Sequence, residues 1–154
     1  MTTTEGDDTA ARLAGLADWT PWMILDEAVE DAPKLPGVFL ARRGKDGPII
    51  HLEDIVDETK GLRARFSNYA GRKGMTYGLG LLVINDALND PAFLRKQLGK
   101  VEAGGYRRLH DWSRAAFDHQ RIMVCWATTR SGAAAEELAV RCREVLPDHD
   151  LWHP

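Results

Sequence analysis

A chain of 154 residues with 44% hydrophobic and 28% charged side chains has the composition of one soluble globular domain and is long enough to bury a core. It contains no run of ~18 apolar residues that would span a membrane, and the polar, acidic start lacks the pattern of a signal peptide, so we expect a cytoplasmic protein without membrane partners. The net charge of −3 argues against general affinity for nucleic acid, although the stretch 60–74 contains five cations and no acid.

The first 18 residues show no strong periodicity, and we expect a flexible N-terminal segment over 1–18, followed by a single domain over 19–154. Asp26 is predicted to cap a short helix that ends before the next proline. Trp19 and Trp22 are interpreted as packing residues rather than as a platform for a ligand.

Two short apolar runs, 36–43 and 48–53, are separated by a turn that contains glycine, which predicts a β-hairpin. Apolar residues then recur at helical spacing from Leu62 to Tyr69. This spacing predicts a helix over 60–70, and we expect it to cover one face of the sheet.

The stretch 75–118 is predicted to be helical throughout, with breaks at Asp90-Pro91 and Gly104-Gly105. Pro91 suits the first position of a helix that Asp90 caps. The apolar side chains of these helices either bury an interface, such as that of a homodimer, or thicken the core.

The last part of the chain contains one more apolar run, 121–128, whose alternate positions are apolar on both faces, as in a central strand. Ser131 is predicted to cap the final helix. Cys125 and Cys142 are interpreted as small buried hydrophobic residues rather than a disulfide or a metal site. The order of elements predicts an α+β fold: a small three-stranded antiparallel sheet flanked by helices, with a helical insertion before the third strand.

This order of strands and helices, together with three short motifs, resembles the GIY-YIG nuclease superfamily over about 33–73 and 120–154. The family's first strand carries Gly-Ile-Tyr or a variant, its second strand Tyr-Ile-Gly or Tyr-Val-Gly, and its helix an arginine three residues after a leucine and often a tyrosine four residues further. The corresponding residues here are Gly37-Val38-Phe39, His51-Leu52-Glu53, and Leu62, Arg65 and Tyr69.

The resemblance implies a metal-dependent endonuclease that cleaves phosphodiester bonds in DNA. By analogy with the family, Arg65 would stabilise charge on the phosphate, Tyr69 would complete the catalytic set, and Glu137 would hold one Mg²⁺. His51 stands at a tyrosine position of the family, and an imidazole can accept the proton of the attacking water. The DNA backbone would contact the basic stretch through Lys60, Arg63, Arg72 and Lys73.

Several residues depart from the family pattern. Phe39 has no hydroxyl group, and counting back nine residues from the proline after the last helix reaches Leu138 rather than Glu137. Glu53 and Asp54 could bind metal from the hairpin side, although acids there would also repel a phosphate.

Two functions therefore remain open for a GIY-YIG-like chain. One is a divergent DNA endonuclease; the other is a catalytically lapsed or repurposed domain that binds nucleic acid or a protein, or acts on a small molecule. Each of these residues also has a non-functional interpretation. His51 would then only end a strand, and the acids and the basic stretch would be solvated surface. A further alternative is that the α+β fold is unrelated to the family.

Overall fold

The computed structural model describes residues 3–71, 77–146 and 151. Within them no helix is both long enough and apolar enough to cross a membrane. The elements are α1 Thr3–Ala14, β1 Met23–Ile24, α2 Leu25–Asp31, β2 Gly37–Arg43, β3 Ile49–Ile55, α3 Gly61–Ala70, α4 Gly78–Ala87, α5 Pro91–Glu102, α6 Leu109–Gln120, β4 Ile122–Thr128 and α7 Gly132–Val145.

The strands form one antiparallel sheet in the order β1-β4-β2-β3. The predicted α+β class, the hairpin of β2 and β3, and the position of β4 beside that hairpin are confirmed. The predicted number of three strands is wrong by one. The additional strand β1 has two residues and pairs Met23 with Val124. A strand of two residues is too short to show the alternation from which strands are predicted.

Both faces of the sheet are covered by helices. On one face, α3 packs Phe66 against Phe39 and Trp126 in a core that also includes residues of α2, α4 and α6. On the other face, α7 packs Leu138 and Cys142 against alternate residues of β2, β3 and β4. Strand β2 is therefore buried on both sides. Gly37, its first residue, lies so close to the carbonyl of Ala127 that a Cβ atom would collide with it.

The predictions for the N-terminal half have different outcomes. The segment expected to be flexible contains α1, and its Leu13 is buried and accepts a hydrogen bond from Trp19 Nε1 at 2.7 Å. Trp19 and Trp22 both pack against the core under α7, which confirms the packing part of their prediction. The prediction that Asp26 caps α2 is wrong, because α2 begins at Leu25 and Ile24 occupies the N-cap position.

The helices predicted between the hairpin and the last strand are α4, α5 and α6. Asp90 caps α5 by accepting a hydrogen bond from the amide of Ala92 at 2.9 Å, and Ser131 caps α7, so both predictions are confirmed. The apolar residues of this region divide between core and surface. Buried residues include Val83 and Phe93, whereas α5 exposes Leu94, Leu98 and Val101. The homodimer through this region stays a prediction.

Candidate functional site

Residues that were predicted to be catalytic meet on one face of the sheet. His51 and Glu53 are two residues apart on β3, so both side chains point to the face that α3 covers. Arg65 and Tyr69 are four residues apart on α3, which places them on one side of the helix. The two periodicities together bring four polar side chains into one place.

The carboxylate of Glu53 is the centre of this group. Its Oε1 lies 3.1 Å from Arg65 Nε, and its Oε2 lies 3.1 Å from His51 Nε2 and accepts a hydrogen bond from the Tyr69 hydroxyl at 2.9 Å. The side chains of His51 and Glu53 are only 13% and 16% exposed, whereas that of Arg65 is 32% exposed. We call these four residues the Glu53 cluster.

The Tyr69 hydroxyl also connects the Glu53 cluster to α4. It accepts a hydrogen bond of 3.0 Å from the amide of Leu79, one of the amides at the start of α4 that have no partner within the helix. The residue before it, Gly78, has a φ of +50°, and a Cβ atom there would collide with the Tyr69 hydroxyl. Glycine at 78 therefore lets the start of α4 close over Tyr69.

Aromatic rings surround the Glu53 cluster. Phe39 is opposite Glu53 in the sheet, and its ring centroid lies 5.9 Å from that of His51 and 6.3 Å from that of Tyr69. The guanidinium of Arg65 lies 5.2 Å from the ring centroid of Tyr77. Phe39 thus places beside the cluster a buried ring that has no group able to move a proton.

Burial changes the acid–base properties of the cluster. Burial, followed by the negative charge of Glu53, raises the pKa of Tyr69 well above its usual range. Burial alone would lower the pKa of Arg65, but the carboxylate of Glu53 opposes it and the pKa is raised. Tyr69 therefore keeps its proton and Arg65 its charge throughout the physiological pH range.

Glu137, the predicted magnesium ligand, does not join the Glu53 cluster. It is exposed on α7, whereas α7 and α3 pack on opposite faces of the sheet. Leu138, the alternative position for the ligand, is buried in the core under α7. The predicted pairing of Arg65 and Glu137 in one cleft is thus not present.

The described residues also do not suit Mg²⁺ at the Glu53 cluster. Magnesium prefers several oxygen ligands, but both oxygens of Glu53 already face the side chains of Arg65, His51 and Tyr69. Within residues 3–71, 77–146 and 151, no group of three or more His, Cys, Asp or Glu side chains is placed to hold a metal ion.

The predicted DNA-binding cations are not all available to a phosphate. Arg63 donates from Nε to the carbonyl of Ala32 at 2.7 Å and from Nη2 to that of Glu30 at 3.1 Å, which satisfies the C-terminal end of α2. Lys60 is exposed at the start of α3. Arg72 and Lys73 lie outside the described residues.

Sequence reasoning considered Glu53 as a metal ligand or a solvated surface acid, and it missed Tyr77, Gly78 and the amide of Leu79. No pattern in the sequence marks them, because Tyr77 and Gly78 are not residue types that typically begin a helix.

Comparisons of the chain with family models, with curated proteins and with solved structures find no match.

Proposed function

We propose that this chain is a repurposed GIY-YIG-like domain whose function is binding rather than phosphodiester cleavage. The observation that supports this most directly is the position of Glu53. A carboxylate occupies the place where a phosphate would have to approach Arg65, and it already neutralises that arginine at 3.1 Å.

Electrostatics oppose a phosphate in this place. A second negative charge about 4 Å from a carboxylate is repelled by about 4 kcal/mol at the effective dielectric constant of a protein surface. Arg65 would have to exchange one carboxylate for the phosphate, so the new attraction would be offset by the breaking of its ion pair with Glu53.

The remaining members of the cluster have structural contacts that explain their presence. The Tyr69 hydroxyl caps α4 and bonds Glu53, and His51 lies against the same carboxylate. These bonds fix α3 and α4 to β3. We infer that the family's catalytic position has become a structural cluster.

A second candidate is the divergent DNA endonuclease of the sequence analysis. It is favoured by the convergence of His51, Arg65 and Tyr69, three of the four predicted catalytic residues. In that case His51 would be the base, Arg65 would leave Glu53 to bind phosphate, and the metal ligand would not be Glu137.

A cleavage assay separates the two candidates. We expect the purified chain to leave supercoiled plasmid intact with Mg²⁺ or Mn²⁺. The matched controls are Arg65→Ala and His51→Ala purified in the same way, because a contaminating nuclease would give equal nicking in all three preparations. Nicking by the wild-type chain that both variants lose would overturn the proposal in favour of the nuclease.

DNA binding through the basic stretch is a separate proposal with its own test. If Lys60 contacts a phosphate, the affinity for duplex DNA should fall steeply with salt, and Lys60→Gln should reduce the slope of log K against log salt by about 0.9. Glu137→Gln is the control, since it removes a charge from an exposed residue on the opposite side of the sheet. Absence of DNA retention at low salt would show that the basic stretch is a solvated surface.

A further inference from the structure

A cavity of about 570 Å³ lies between β1, the C-terminal end of β2 and the junction of α6 with β4. This volume falls within the range of pockets that bind small molecules. Its lining is mainly apolar and includes Trp22, Ile24, Phe117, Ile122 and Met123. Ile24 remains 53% exposed beside the cavity, although it is a large apolar side chain. None of the lining residues belongs to the Glu53 cluster, so the cavity is independent of the proposed loss of cleavage.

Three cations line the same cavity, namely Arg42, Lys45 and Arg121, together with the carboxylates of Asp26 and Asp118. The lining side chains therefore have one net positive charge. An apolar cavity with a small number of charged groups is the usual form of a site that orients a small ligand.

Arg42 is the least exposed of the three cations that line the cavity. Its Nε is shielded from solvent and has no hydrogen-bond partner, while its guanidinium lies 4.2 Å from the ring centroid of Trp22. Burial lowers the pKa of Arg42 from its ordinary value, because the charge is partly removed from water. Because Arg42 lines the cavity, an anion bound there would pair with the charge of its guanidinium.

Arg121 has an unusual backbone conformation. It ends α6 with φ 52° and ψ 56°, in the left-handed region, where glycine or asparagine is the common choice. Among the described residues it is the one non-glycine residue with positive φ. Its carbonyl accepts a hydrogen bond from the amide of Gly44 at 2.9 Å, a bond that glycine at 121 could accept equally well. Glycine would meet the needs of this turn, so the backbone does not require an arginine at 121, a residue that lines the cavity.

We propose that this cavity binds a small aromatic carboxylate, with the ring against Trp22 and Phe117 and the carboxylate paired with Arg42 and Arg121. A single carboxylate matches the net charge of the lining, and a flat ring suits a mainly apolar lining that includes Trp22 and Phe117.

The test uses benzoate, phenylacetate, 4-phenylbutyrate and indole-3-acetate, each compared with its neutral amide, on the full chain by isothermal titration and by protein NMR. We expect at least one carboxylate to bind and its amide to bind roughly 10- to 100-fold more weakly, as for loss of a hydrogen bond to a charged group. Arg121→Gly should weaken binding by a similar factor. It should leave the melting temperature the same or higher, since relief of the left-handed conformation offsets the extra freedom of glycine in the unfolded chain.

Arg42→Gln should weaken the binding of the same carboxylate. The control is Arg43→Gln, because Arg43 is the neighbouring residue, does not line the cavity and contacts Asp86. This control should leave binding unchanged. Equal affinity for a carboxylate and its amide would overturn the anion site. Unchanged binding in Arg121→Gly, or no binding by any member of the set at millimolar concentration, would overturn the proposal as well.

Discussion

The structural interpretation of the Glu53 cluster predicts that Glu53→Ala destabilises the fold. The substitution removes the carboxylate that accepts a hydrogen bond from the fully buried Tyr69 hydroxyl, which costs about 1–3 kcal/mol. Arg65, a third exposed, can turn toward water, so loss of its ion pair adds at most about 1 kcal/mol. The expected loss is about 1–4 kcal/mol, or roughly 2–16 °C in melting temperature for a domain of this size.

Urea unfolding and differential scanning calorimetry measure this change directly. Asp54→Ala is the matched control, because Asp54 is the next residue of β3 and pairs at 3.7 Å with Arg143 across a solvated surface. An exposed pair of this kind contributes about 0–1 kcal/mol. Glu53→Gln should fall between the two, since an amide oxygen can still accept from Tyr69 but carries no charge for Arg65.

The refuting result is a Glu53→Ala protein as stable as the wild type or more stable. Such a result would mean that the chain holds the carboxylate at a cost to its stability, which is the behaviour of a functional site rather than a structural one. It would favour the DNA endonuclease over the structural interpretation of the cluster.

Three further predictions concern the buried groups. Burial raises the pKa of Cys125 to about 12 and that of Cys142 to about 11. Above about pH 9 the unfolded chain therefore loses thiol protons that the folded chain keeps, so the free energy of unfolding should fall by up to about 1.4 kcal/mol per pH unit for each thiol. Cys142→Ala should flatten this dependence in urea titrations, and an unchanged slope would contradict the assignment. Tyr69→Phe should cost about 1–3 kcal/mol and speed hydrogen exchange at the Leu79 amide, and unchanged exchange there would show that the cap is not formed. Gly78→Ala should cost at least about 1–2 kcal/mol because of the left-handed backbone, so a neutral melting temperature would contradict the described start of α4.

Long periodic patterns were sufficient to predict much of the fold. Strand β2 is a short apolar run and helix α3 has apolar residues at helical spacing, and the caps Asp90 and Ser131 are residue types that favour one local conformation. Asp26 is also a good capping residue, but α2 begins one residue before it. The strand Met23–Ile24 exists because β4 offers it a free edge, a tertiary cause that local pattern does not contain.

The candidate site was predicted only in part, because local spacing again does not contain the tertiary arrangement. The spacing of His51 and Glu53 on a strand, and of Arg65 and Tyr69 on a helix, determines which side chains share a face once the elements are known. Spacing does not determine which face of the sheet a distant helix covers. Glu137 was placed in the same cleft as Arg65 by analogy with the family, whereas α7 packs on the other side.

The identity of residue 53 then decides the chemistry more than that of any predicted catalytic residue. An arginine, a histidine and a tyrosine gathered on one face, without an acid, would form a strongly electropositive place suited to a phosphate. With Glu53 among them, the arginine is neutralised and the tyrosine proton is held more firmly, because the same carboxylate raises the pKa of Tyr69. Replacement of Glu53 by a small neutral residue would release Arg65, yet it would not bring Glu137 to the same face of the sheet. Under the proposal of a repurposed GIY-YIG-like domain, anion binding and cleavage are therefore separable, and a substitution at residue 53 alone is expected to permit the first without the second.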